Sequence, residues 1–106
     1  MTVHEMAGKL GLTVVHEEAD RELSAVYCCD LLSVAMARCK PDGAWVTVIG
    51  NANAVAVANL TDAACIVLAE GYSFDDAAVA AAAGKVSLYK NEAPVFETAL
   101  AIHELL

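Results

Sequence analysis

Basic residues are scarce: six Lys and Arg stand against fourteen Asp and Glu, leaving a formal charge of −8. Such a field repels phosphodiester backbones and anionic headgroups, which excludes nucleic acid and a charged membrane surface as partners. Apolar runs are short, and none approaches the roughly 20 residues that span a bilayer. The opening Met-Thr-Val-His-Glu has neither the basic nor the apolar region of a signal peptide, so a cytoplasmic protein is expected. There are four cysteines but no Cys-x-x-Cys pair, so four reduced thiols are expected, with no metal and no other cofactor. A Gly-x-x-x-x-Gly-Lys phosphate loop is absent too, which removes that route to phosphoryl transfer. With two Pro and six Gly there is no linker and no long internal repeat, so residues 1–106 form one domain, large enough to bury a core unaided.

What is present is an alternation of short apolar runs with helical stretches. Thr2 and Glu5 form a capping box ahead of a helix from Val3 to Leu10, stopped by Gly11. Runs of strand character fall at Leu12 to Val15, Leu23 to Cys28, Trp45 to Ile49, Cys65 to Ala69 and Val86 to Tyr89. Between them lie a helix capped by Asp30 and ending near Lys40, one from Asn51 to about Leu60, and one from Ser73 to Gly84. A last helix runs from about Ala93 to Leu105. This spacing predicts an α/β three-layer sandwich on a mixed, mainly parallel sheet of about five strands, with the N-terminal strands pairing antiparallel.

In open α/β sheets, ligands sit beyond the carboxyl ends of the strands, where helix N-termini offer free N–H groups. Gly50, Asn51 and Asn53 lie there, as do Glu70 and Gly71; helix capping explains the Asn residues equally well. The stretch Ala19 to Asp30 concentrates the remaining polar chemistry. Arg21 offers a planar fork to a carboxylate or phosphate, of a ligand or a second subunit, or else pairs with a neighbouring acid. Cys28 and Cys29 precede a helix N-terminus, where a thiol pKa falls, so a redox- or metal-responsive regulator acting through them is the alternative, and a cysteine-dependent enzyme the third reading. Being adjacent in a strand, they face opposite sides and suit a single metal ion poorly.

Asp20-Arg21-Glu22-Leu23-Ser24, followed by Tyr27-Cys28-Cys29-Asp30-Leu31-Leu32-Ser33, resembles the DRTGG domain. That family is a small α/β module related to the N-terminal domain of HPr kinase/phosphorylase. The resemblance runs the length of the chain and implies an HPr kinase N-terminal-domain-like fold. Family members are regulatory inserts beside CBS domains in pyrophosphatases, lie in front of phosphate acetyltransferases, or stand free, and no catalytic role comes with them. Where the family has Thr-Gly-Gly, this chain has Ser24-Ala25-Val26. Asp20, Arg21 and Ser24 thus join the ligand-binding candidates, and Glu70-Gly71 looks like the family's strand-end pair. The combined expectation is a non-enzymatic module sensing a small anionic or nucleotide-like ligand for a partner enzyme, and pairing as a homodimer around Arg21 to Tyr27.

Overall fold

A computed structural model describes all 106 residues. In chain order the elements are α1 (Val3–Leu10), β1 (Thr13–His16), β2 (Val26–Cys28), α2 (Leu32–Arg38), β3 (Ala44–Thr47), α3 (Ala52–Leu60), β4 (Cys65–Leu68), α4 (Asp76–Ala82), β5 (Ser87–Lys90) and α5 (Val95–Leu105). The strands form one sheet in the order β1-β5-β4-β3-β2. β2 to β5 are parallel, and only β1 runs antiparallel, against β5. Each step from β2 to β5 moves one place in the same direction, so the crossovers α2, α3 and α4 share a face, where α3 packs against both others. α1 and α5 cover the other face, and the fold is α/β with helices on both sides.

Alternation along the central strands fills two cores. Val46, Val67 and Tyr89 point toward α1 and α5, where Met6 and Ile102 meet them. Trp45, Ile66, Leu68 and Leu88 point the other way, onto Val55 and a bed of alanines from α2, α3 and α4. The alanine-rich run of α4 is the smooth surface that lets this helix lie close: Ala78 and Ala82 are fully buried. No helix is long and apolar enough to cross a membrane.

Local signals set most boundaries. The Thr2–Glu5 capping box is made in both directions, and Gly11 closes α1 at φ 63°. Three expectations change. The N-terminal strands do not pair with each other; β1 and β2 lie at opposite edges, because β1 finds its partner in β5. β2 is shorter than Leu23 to Cys28, since Leu23 is drawn into the α1 core and its N–H donates to the Met1 carbonyl. Asp30 does not cap α2: one of its oxygens accepts from Thr47 Oγ1 at 2.7 Å and Val48 N–H at 3.0 Å, tying the end of β2 to the end of β3.

Candidate functional site

The residues singled out from sequence fall on two opposite edges of the sheet. Asp42 and Asp62, which precede β3 and β4, mark the amino edge, and Arg21 lies with them. Gly50 and Glu70 follow the same two strands and mark the carboxyl edge.

At the amino edge, Arg21 Nε and Nη2 donate to one Asp42 oxygen at 2.9 and 2.5 Å, and Nη2 donates also to the Asp62 carbonyl at 3.1 Å. The fork thus ties the segment before β2 to the turns before β3 and β4. Ser24 Oγ donates to the Pro41 carbonyl at 2.6 Å, and Asp20 accepts the N–H groups of His4 and Arg21, each at 3.0 Å. His4 Nε2 donates to the Glu18 carbonyl at 2.9 Å, and His16 bonds the Glu18 carboxylate. These side chains act first as struts of the monomer. Charge-assisted hydrogen bonds are each worth about 1.5–3 kcal/mol, and Arg21 is only partly screened by solvent, with its side chain 27 % exposed. Arg21→Ala is therefore expected to destabilise the chain by about 2 kcal/mol. Urea denaturation reads this directly; an unchanged midpoint would remove the structural duty.

The carboxyl-edge candidates are also engaged. Asn51 Oδ1 caps α3 by accepting from Ala54 N–H at 3.0 Å, whereas Asn53 is exposed on that helix. Glu70 Oε2 accepts from Val95 N–H at 2.9 Å, serving as the cap that Pro94 cannot give α5. Glu70 and Gly71 both take positive φ, 60° and 72°, in the turn that leaves β4. Gly50 lies directly against the Ser73 carbonyl.

A small apolar cleft of about 40 Å³ opens elsewhere, between the start of β2, the start of β3 and the end of α2. Ala25, Val26, Tyr27, Ala44, Trp45 and Ala63 form its apolar walls, and Arg38, Cys39 and Lys40 come from the helix side. Neither Arg38 nor Lys40 makes a side-chain hydrogen bond or ion pair, so two of the chain's six cations border this apolar space unpaired. Burial pushes the Cys39 thiol up to about 11, with the nearby Cys29 adding to the effect. Burial raises Tyr27 also, and Cys29 contributes there too. Cys29 thus keeps company with Tyr27 and Cys39, whereas Cys28 is exposed. Cys65, fully buried, is pushed up to about 12. No group of three His, Cys, Asp or Glu side chains gathers where it could hold a metal ion.

Of these lining residues, the sequence had offered one usable signal: Arg38-Cys39-Lys40 places two cations within three residues, just ahead of the Pro41-Asp42-Gly43 turn. That neither cation is drawn into an ion pair is a tertiary property. No protein-family model matches this chain, and no curated protein does.

Proposed function

We propose that the chain is a non-catalytic ligand-sensing module. It takes a small organic anion with an apolar body in the β2–α2–β3 pocket and passes its occupancy to a partner enzyme in the cytoplasm. The observation that carries the reading is the placement of two of the chain's unpaired cations, Arg38 and Lys40, beside an apolar cleft, in a chain that is strongly acidic overall. The walls would hold the body of the ligand, and the cations would hold its carboxylate or phosphate. Arg38 also suits the negative end of α2, so part of its charge answers the helix dipole; Lys40, beyond the helix, has no such duty. The resemblance to the DRTGG domain, whose members are regulatory, supports the same class of function and an HPr kinase N-terminal-domain-like fold.

Trp45, the only tryptophan, forms part of the wall and provides the readout. Titration with aromatic and branched carboxylates, acyl phosphates and nucleotides should change its fluorescence for one class. At a hundredfold excess over Kd that ligand should stabilise the fold by about 2.7 kcal/mol. Both responses should vanish in the Arg38→Ala, Lys40→Ala double variant. Equal responses in wild type and double variant would refute the anion site.

A second reading, a redox-responsive regulator, comes from the influence of Cys29 on the Cys39 thiol, whose pKa it helps to raise. The sequence instead placed such a regulator at Cys28 and Cys29. Peptide-mapped thiol labelling of native protein separates the two. The ligand-sensing reading expects Cys28 to react first, Cys39 slowly and Cys65 only on unfolding, whereas a redox device predicts joint loss of the Cys29 and Cys39 thiols under mild oxidation.

A further inference from the structure

The two edges of the sheet differ. At β1 the register breaks between Val14 and His16, a bulge of the kind that turns an edge away from further pairing, and the loop beyond it carries Glu17, Glu18 and Asp20. β2 has no such break; it runs in regular register from Val26 opposite Ala44 to Cys28 opposite Val46. Ala44 N–H donates to the Ala25 carbonyl, and Cys29 N–H donates to the Val46 carbonyl. Ala25, Tyr27 and Cys29 therefore turn their backbone groups toward β3, and Val26 and Cys28 turn theirs outward. No strand lies beyond them.

We propose that this edge joins two copies of the chain, antiparallel about a two-fold axis at Tyr27, so that one sheet continues through both. The spacing of the outward groups carries the inference. Under that axis, Val26 falls opposite Cys28 of the partner subunit, and the two residues exchange both N–H···O=C bonds; the symmetric pair does the same. The contact is closed and self-complementary, whereas a parallel or repeating arrangement would leave groups unmatched or grow without limit. Charge selects the same strip. Leu23 to Cys29 carries no charged side chain and α2 carries only Arg38, so two chains of −8 repel each other least here. Leu31 and Met36, 59 % and 51 % exposed, supply apolar surface just after β2 and on α2. The interface moves from the Arg21 loop expected from sequence to the strand itself, because Arg21 is taken up within the monomer. This inference shares Val26 and Tyr27 with the pocket wall but draws on the outward backbone groups of Val26 and Cys28, and it is tested by mass.

Light scattering and sedimentation from about 1 to 100 µM should give a dimer. Val26→Pro removes an outward N–H that β3 does not use, and should weaken association at least tenfold at an unchanged melting temperature of the isolated chain. Val26→Cys places a thiol opposite Cys28 of the partner subunit, at a Cα separation of about 5.5 Å that a disulfide can span. Oxidised glutathione should then link the copies: one S–S bond forms, the two thiols are oxidised, and glutathione disulfide leaves as two reduced thiols. Peptide mapping should find the introduced thiol joined to Cys28. A monomer mass across the concentration range would overturn the proposal, as would a dimer that Val26→Pro leaves intact. A cross-link to Cys29, or to no thiol, would overturn the Tyr27-centred register. If Val26→Pro does not fold, the Val26→Cys mapping alone decides.

Discussion

Raising the pH from 8 to 11 is expected to take away several kcal/mol of the stability of this fold. Three protonated groups are held in low-dielectric surroundings. Burial pushes Cys65 from an ordinary 9.0 up to about 12. Burial, with Cys29 behind it, pushes Cys39 from 9.0 to about 11. Tyr89 is raised above its ordinary 10.0, first by burial and then by donating to the Glu17 carboxylate at 2.7 Å. In each case the folded state keeps its proton longer than the unfolded chain does. The contribution is therefore complete below pH 9 and declines as the pH rises from 9 toward the folded values. Each fully shifted group removes about 1.4 kcal/mol per pH unit, so Cys65 alone removes about 3 kcal/mol by pH 11. Tyr89 adds its share above pH 10, and Cys39, only partly buried, adds less than its shift implies because solvent screens it. A domain of this size holds about 5–15 kcal/mol in all. Urea midpoints should be level from pH 7 to 9 and fall steeply above. Cys65→Ala should begin lower, for the small cavity it leaves, but fall with a shallower slope, by about one proton. Parallel slopes in the two proteins would show that Cys65 does not hold its proton in the fold.

Gly50→Ala should lower the melting temperature by more than about 10 °C, from a loss of about 2–3 kcal/mol. A Cβ at this position would stand 2.5 Å from the Ser73 carbonyl oxygen and 2.9 Å from Leu68 Cδ1. The carbonyl belongs to backbone that has little freedom to move, because Asp75 N–H donates to the Gly50 carbonyl at 2.9 Å and so clamps the two loops together. Leu68 lies in the core against α3 and α4 and has no room to give. Gly8→Ala is the contrasting case: a Cβ there meets nothing, and the helix α1 should gain about 0.5–1 kcal/mol. Thermal melts of the two variants moving in the same direction would show that crowding is not what keeps residue 50 a glycine.

The same glycine shows how far the sequence could be read. Gly50 after a β-rich run announced the end of a strand, and Asn51 announced a helix cap, because both signals act within a few residues. The strand and helix order after Ala44 was legible for the same reason, since period-two and helical patterns are local. What was not legible depends on partners distant in sequence. Asp30 has the chemistry of an N-cap, yet Thr47 and Val48, brought up by β3, claim its oxygen. Arg21 among acidic neighbours looked free to meet a ligand, yet Asp42 lies at the next turn of the same edge. The pocket draws its walls from residues 25–27, 38–40, 43–45 and 63, four stretches with no common local signal.

The strand order also dictates when each core can form. From β3 to β5 every strand pairs with the one made just before it, so this half can assemble as the chain lengthens. β1 is made first and pairs last: Thr13 waits for Lys90, and α1 waits for Ile102 to complete the surface onto which Val3 and Met6 pack. Between its own synthesis and that of β5 and α5, then, the amphipathic helix α1 has only part of its docking surface, an interval in which a holdase or a neighbouring nascent chain can reach it.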